Sequence, residues 1–273
     1  VSLRLPKLRL RLPKLRFANA TDLLADDAGG WSNLGDWSSV TDSSGNAYAS
    51  ACRALAERVG HAAGISPDTR VLDLGCGAGA SLALWRERFG ARHSDAIEAQ
   101  PAQAARASRL GSKVHVGFVS DVLPTIAARY DAIVSVDAAY HFGPLVPLVR
   151  ALAGRLAPGG ALAFTTLAHA SNSSWLRRTA LRAASIDPAA CIPLPRLEGV
   201  LAAAGFSDSD ITILDRGVLT GFADFVARRG RELPMVARVS PGWLKIALTA
   251  RACRALVTNG AAHYVLVRAT RAR

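Results

Sequence analysis

The residues with the most evident chemistry form one short run, Asp73-Leu74-Gly75-Cys76-Gly77-Ala78-Gly79, at the end of the β-rich stretch Arg70–Leu74 and ahead of a helical pattern. Glycine at alternate positions lets a backbone turn tightly and approach a ligand closely, because no Cβ stands in the way. Several nucleotide-binding folds use such a strand-to-helix turn, so alone it proposes only a nucleotide-like ligand. Glu98 lies 23 residues beyond Gly75, at the end of a second strand pattern. A carboxylate there can accept hydrogen bonds from both hydroxyls of a ribose, at about 1.5–3 kcal/mol for each charged hydrogen bond. That geometry also suits NAD, so Glu98 points to a nucleoside without naming it. Asp95 is nearby but mid-strand, and is the weaker partner. Ser135-Val136-Asp137-Ala138-Ala139-Tyr140-His141-Phe142 follows a fourth strand pattern. An imidazole with an intrinsic pKa of about 6.5 can take a proton from a hydroxyl or ammonium nucleophile. Equally, His141 can hydrogen-bond a substrate or be a structural residue wedged between Tyr140 and Phe142.

The acid two residues before Gly75 narrows the field. Asp73 followed by G-x-G-x-G resembles the first motif of the class I S-adenosylmethionine-dependent methyltransferases, in their small-molecule (type 11-like) group. The resemblance runs from about Trp31 to Arg268. It implies that Asp73, Gly75, Cys76, Gly77 and Gly79 face the amino-acid part of the cofactor and that Glu98 holds its ribose. Val119-Ser120-Asp121-Val122-Leu123-Pro124 is similar to the family's adenine-contacting segment. By that likeness Asp121, between Ser120 and Val122, receives the exocyclic amine, while Phe118 and Val122 flank the ring. Read alone, Asp121 is also an ordinary helix N-cap.

The family places its reacting groups after the fourth strand. Here the stretch is similar to small-molecule members with an aromatic–His pair, and unlike the Asn-Pro-Pro-Tyr motif that positions a nucleobase amine. The resemblance therefore implies Tyr140 and His141 as catalytic residues, with Asp137 on the cofactor. Trp31-Ser32-Asn33-Leu34-Gly35-Asp36-Trp37 looks like the W-x-N-x-G-x-W stretch that closes over the cofactor's methionine end. Trp37 then offers a sulfonium a cation–π face, at about 0.5–2 kcal/mol, or else forms a hydrophobic cap over the sheet. The implied reaction is methyl transfer from S-adenosylmethionine, by in-line displacement, to a small and at least partly hydrophobic organic acceptor.

Strand and helix patterns alternate from about residue 46. Helical spacing covers Ala47–Ala63, Ala102–Leu110 and a run from Pro144 with Leu145, Leu148, Leu152 and Leu156 on one face, and Pro195 opens another helix that Gly205 stops. Strands are expected at Arg70–Leu74, Asp95–Glu98, Val114–Val119, Ala132–Val136, Ala161–Leu167, Ile211–Leu214 and Tyr264–Arg268. The expected fold is α/β: a doubly wound, mostly parallel seven-stranded sheet, helices on both faces, and an antiparallel C-terminal strand. One domain spans residues 21–273, with insertions near 168–194 and 218–263 that exceed ordinary loop lengths and read as pocket walls. Trp175, Leu176, Phe222, Phe225 and Trp243 make those insertions apolar. Helical runs are expected in the second, at Phe222–Arg229 and Trp243–Val257.

The chain has 273 residues, is half hydrophobic and one-fifth charged, and has a mean hydropathy of +0.20, as packed globular chains do. No uncharged apolar run reaches the roughly 18 residues that span a bilayer, and the scattered thiols read as free cysteines of a reducing cytoplasm. Four scattered cysteines, none in a C-x-x-C pair, argue against a metal site or a disulfide framework. Of the net charge of +12, six positive charges fall before Asp22, in the exact heptad repeat LRLPKLR-LRLPKLR of residues 3–16. Pro6 and Pro13 exclude one helix through both copies. Residues 1–20 therefore read as a disordered basic extension or as a weak membrane-surface tether, each basic residue adding about 1 kcal/mol near an anionic bilayer. With half of the excess charge in one tail, nucleic acid is disfavoured as a partner. A nucleic-acid or protein methyltransferase and a non-catalytic S-adenosylmethionine-binding regulator are the alternatives. An NAD-dependent oxidoreductase comes third, against Asp73 and the C-terminal strand pair.

Overall fold

The computed structural model describes residues 20–25, 27–40, 46–169, 186–260 and 262–273. The basic repeat, and Trp175 and Leu176 of the first insertion, lie outside the described residues.

The centre of the molecule is a sheet of seven strands: β1 (Arg70–Leu74), β2 (His93–Glu98), β3 (Lys113–Val116), β4 (Tyr130–Ser135), β5 (Leu156–Ala168), β6 (Phe206–Ile213) and β7 (His263–Arg271). Their order is β3-β2-β1-β4-β5-β7-β6. The first five pair in parallel, and β7 runs antiparallel between β5 and β6. Around them lie α1 (Ala47–Ala62), α2 (Ala80–Phe89), α3 (Pro101–Ser108), α4 (Val119–Val122), α5 (Leu145–Ala153) and α6 (Leu197–Ala203). The second insertion folds as α7 (Gly221–Glu232), α8 (Met235–Arg238) and α9 (Pro241–Thr258). This is the expected doubly wound fold. Successive strands step outward from β1 to β3, and the chain then returns to place β4 on the other side of β1. Such a reversal leaves a crevice at the carboxyl ends of β1 and β4, where ligands bind.

Burial on both faces makes β1 a continuous apolar strand, as parallel central strands are. Val71 faces one core layer, with Leu55, Trp85 and Phe222; Leu72 and Leu74 face the other, with Leu145, Leu152 and Phe164. Asp73 is the polar exception, 1% exposed.

Several boundaries differ from those expected. The third strand stops at Val116 rather than Val119, because Gly117 takes φ +149° and a Cβ there would lie 2.7 Å from Val122 Cγ2. The chain then turns helical through Ser120 and Asp121. Leu156 belongs to β5, not to the helix of Leu145, Leu148 and Leu152. The Pro158-Gly159-Gly160 run is built into that strand beside an irregularity opposite Tyr130, instead of preceding it as a turn. β6 and β7 extend beyond their apolar centres because pairing continues along their polar ends. Among the described residues, no helix is long and apolar enough to cross a membrane.

Candidate active site

Asp73, Gly75, Gly77 and Glu98 converge at the carboxyl ends of β1 and β2. The Gly75 N–H donates to Ile97 O at 2.8 Å, and the Gly77 N–H donates to Glu98 Oε2 at 3.0 Å. Glu98 Oε1 accepts the Gln100 N–H at 2.8 Å. Glu98 is thus the staple between the glycine loop and the turn after β2. A carboxylate has about four lone-pair sites, so two remain for a ligand.

The three glycines have different reasons to be glycine, although all adopt positive φ (+74°, +56° and +94°). A Cβ on Gly75 would lie 2.8 Å from Ala138 Cβ and 3.1 Å from Phe142 Cζ. On Gly79 it would lie 2.8 Å from Leu110 Cδ1 and 2.9 Å from the Ala107 Cα of α3. Those two serve close packing of the protein on itself. A Cβ on Gly77 would have only Ser32 Oγ near it, at 3.7 Å. Gly77 is therefore the position where the loop leaves room above its backbone.

Asp73 does not face the crevice. Its Oδ2 accepts the Trp85 Nε1–H at 2.8 Å, fastening α2 to β1. Burial pushes its carboxyl up to about 6; hydrogen bonds from Ser81 and Trp85 oppose this, and the Glu98 charge adds to it. Cys76 is buried in the loop, and burial together with the Asp73 and Glu98 charges drives its thiol far above the usual range. Asp95 is occupied by the Tyr130 hydroxyl at 2.8 Å.

Beside Glu98, Phe118 is 67% exposed and precedes α4, whose Ser120 and Asp121 are also exposed. Ser120 Oγ donates to Asp121 Oδ1 at 2.9 Å. Asp121 lies inside the first turn, with Phe118 at the N-cap position, so the N-cap alternative does not describe it.

Asp137 is the centre of a second cluster, at the end of β4. It is the non-glycine residue at positive φ (+55°) among those described. Its Oδ1 accepts the hydroxyls of Tyr140 (2.7 Å) and Tyr264 (2.8 Å), its Oδ2 accepts the Leu34 N–H (2.8 Å), and its own N–H donates to Thr165 Oγ1 (2.7 Å). Burial raises this carboxyl too, to about 6, against the three hydrogen bonds that lower it. Tyr140 is buried, and its hydroxyl is held well above its ordinary pKa by burial and the Asp137 charge. His141 is exposed, its ring edge-on to Tyr140 at 4.5 Å between centroids. It is not wedged between its aromatic neighbours.

The stretch Ser32-Asn33-Leu34 lies over both clusters: Ser32 stands above Gly77, and Leu34 is tied to Asp137. Asn33 is buried and doubly anchored. Its carbonyl accepts the Tyr48 hydroxyl (2.9 Å), and its amide donates to Cys52 O (3.2 Å). On the far side of this stretch is a cavity of about 160 Å³, lined by Leu24, Asn33, Tyr48, Phe222, Lys245 and Thr249 among others. Trp37 stacks on Phe225 at 4.4 Å, its backbone N–H donates to Gly217 O, and its indole N–H donates to Leu34 O. One face of its ring is thus taken by the insertion, as in the hydrophobic-cap alternative. Phe225 and Trp243 are buried in the core, whereas Phe222 and Ile246 of the same insertion line the cavity.

Sequence reasoning missed Thr165, Tyr264, Tyr48 and Lys245. The first three carry hydroxyls that meet Asp137 or Asn33 only through sheet and helix packing. Asn33 lay inside a stretch already singled out and gave the available signal.

The sequence pattern of the family described as "Methyltransferase domain" matches residues 46–210. The erythromycin 3''-O-methyltransferase of Saccharopolyspora erythraea is 30% identical over 164 residues, 55% of this chain and 52% of that protein. The chain thus spans about half the length of the curated relatives it matches. Among solved structures, the cyclopropane synthase MmaA2 from Mycobacterium tuberculosis superposes with a TM-score of 0.71 at 18% identity, over 93% of this chain and 95% of that one. The geranyl diphosphate C-methyltransferase of Streptomyces coelicolor A3(2), solved with Mg2+, geranyl diphosphate and S-adenosyl-L-homocysteine, gives 0.68 at 16% identity, over 94% and 99%. The matched pattern covers the glycine loop, Glu98 and Asp137, and the chain belongs to the methyltransferase-domain family, whose cofactor is S-adenosylmethionine.

Proposed function

We propose that this protein transfers a methyl group from S-adenosylmethionine to a small, partly hydrophobic organic acceptor. The observation that carries the reading is the joint between Gly77 and Glu98. It combines a loop with open space above its backbone and a carboxylate with acceptor capacity left at the adjacent strand end. The residues present suit the cofactor. Gly77 would admit its amino-acid part, Glu98 the ribose hydroxyls, and Phe118, Asp121 and Val122 the adenine. Gly75, Cys76 and Gly79 shape the loop, Asp73 fixes the helix behind it, Ser120 orients Asp121, and Asp137 with Trp37 holds the covering segment in place.

When bound, the cofactor supplies a methyl group already activated as a sulfonium. The chain's own task is to hold an acceptor in line and exclude water, and positioning of that kind supplies much of the rate of a two-reactant step. Leu24, Tyr48 and Phe222 give the cavity an apolar wall, while Asn33, Lys245 and Thr249 add polar groups. Both features fit a small organic molecule better than a base in a duplex. The named relatives that act on erythromycin and geranyl diphosphate support that class. His141, exposed beside Tyr140, would take a proton from an O–H or N–H acceptor. The basic repeat of residues 3–16 adds weak contact with an anionic membrane surface.

A tritiated-methyl transfer screen of cell extract, with mass identification of the product, tests the reading. A labelled low-mass organic product is expected. Label confined to RNA or protein, with activity falling steeply as salt rises, would transfer the protein to the first alternative. Cofactor binding without turnover across a broad acceptor panel would make it a regulator. With an acceptor in hand, His141→Ala lowers kcat about a hundredfold or more and flattens the acid limb of the pH–rate profile. Cofactor affinity stays unchanged. If turnover persists, His141 is no base.

A further inference from the structure

The helical insertion carries a surface that the crevice does not use. Met235 (78% exposed), Val236 (79%), Val239 (64%), Leu244 (57%) and Leu248 (67%) fall within fourteen residues of chain. They are five of the eight large apolar side chains that are markedly exposed among the described residues. Single exposed apolar residues are ordinary, but a concentration of this kind marks an interaction surface. In α9 the 100° step per residue puts Leu244 and Leu248 on one stripe, and Lys245 and Thr249 on the next. The second stripe lines the cavity. The apolar surface therefore borders the cavity wall, with Lys245 between them.

Charge is concentrated in the same place. Residues 221–258 contain seven Lys and Arg against Asp224 and Glu232, a net +5, and the tail before Asp22 contributes +6. The rest of the chain carries one net positive charge, out of +12 in all. Both acids are already paired, Asp224 with Arg254 at 2.6 Å and Glu232 with Arg229 at 3.5 Å. Arg228, Arg231 and Arg251 are exposed on the same helical insertion. Ala20 lies here as well. A Cβ on Gly242 would lie 2.7 Å from Ala20 Cβ, which places the first described residue beside the start of α9.

We infer that the α8–α9 face docks on an anionic lipid surface, with Met235, Val236, Val239, Leu244 and Leu248 entering the headgroup boundary and the arginines of the insertion meeting lipid phosphates. An amphipathic, Arg-rich element lying in the interface combines these two terms, and the described helices offer no membrane-spanning alternative. The inference extends the reading of the basic repeat as a membrane contact and is independent of methyl transfer. It also opens the cavity toward the bilayer, where an amphiphilic acceptor would be concentrated.

Flotation of the full chain with phosphatidylcholine vesicles, with and without about one-third phosphatidylglycerol, provides the test. The wild type binds the anionic vesicles and is released by salt. The combined variant M235S, V236S, L244S and L248S alters only exposed side chains. It should bind at least roughly tenfold more weakly while retaining cofactor affinity. R228Q, R231Q and R251Q together weaken binding to anionic vesicles several-fold and leave the neutral ones unaffected. Undiminished binding by the serine variant would assign the contact to the tail alone and overturn the inference. So would absence of wild-type binding, or a concentration-dependent oligomer, seen by sedimentation, that the serine substitutions abolish. The last outcome would identify a second copy of the chain as the occupant. Each is read without an acceptor, so it stands apart from success or failure of the methyl-transfer assay.

Discussion

The glycine-loop half of the crevice and the Asp137 half are built by opposite strategies. Around Gly77 the hydrogen-bond partners are close in sequence: Ile97, Glu98 and Gln100 are within 27 residues of Asp73. Around Asp137 the partners besides the neighbouring Tyr140 are Leu34, Thr165 and Tyr264, the last 127 residues away in sequence. The first half is a local device that β1, β2 and the helices beside them reproduce wherever they pair in register. The second exists only once the N-terminal segment, β4, β5 and β7 have all assembled. Under the proposed function, the local half would serve the cofactor and the long-range half the acceptor.

Substitution of the loop glycines breaks the comparison most directly. Gly79→Ala forces a Cβ against α3 at positive φ and is expected to cost about 3 kcal/mol of stability. Gly77→Ala meets open space, so backbone strain costs only about 1 kcal/mol, while cofactor affinity falls more than stability does. Urea denaturation together with cofactor titration separates the two, and equal stability losses would erase the distinction between packing and cradle glycines.

The acid pair Asp73 and Asp137 gives the next largest effect. Both carboxyls are raised to about 6 in the folded chain, from an unfolded value of about 4. The folded state thus binds more protons than the unfolded one between those values. Stability is fullest below about pH 4 and falls as pH rises through about 6, by on the order of 2–3 kcal/mol per group. Unfolding free energies measured across that window should decline, and Asp73→Asn should remove one share of the decline. A rise with pH over the same window would contradict the burial-driven shift.

Glu98→Ala is expected to weaken cofactor binding by about one to two powers of ten, because charged hydrogen bonds are lost. It also frees the Gly77 and Gln100 N–H groups. Unchanged affinity by calorimetry would remove Glu98 from the site. Smallest is Tyr264→Phe, which deletes one of the two hydroxyls on Asp137 Oδ1 and the bond to Thr165, at about 1 kcal/mol. That loss should appear in stability and acceptor KM, with cofactor affinity untouched. A cofactor effect as large as that of Glu98→Ala would show the two halves to be one network.

What the sequence determined by itself is the local half: Asp73, the three glycines and Glu98 are legible because their geometry follows from strand ends and tight turns over a few residues. The order of strands and helices was legible for the same reason, since periodic burial is a property of short windows. Boundaries were less so. At Gly117 an unusual φ ended a strand that its residue types would have continued, and β6 and β7 were lengthened by pairing at polar ends. Only the tertiary structure decided that Asp73 holds Trp85 instead of facing the crevice, that Trp37 lies on Phe225, and that Tyr140 is locked to Asp137 while His141 is exposed. The physical reason is the same in each case. A side chain's role there depends on which distant segment satisfies its hydrogen bonds and covers its apolar surface, and those partners come together only when the sheet has closed around them.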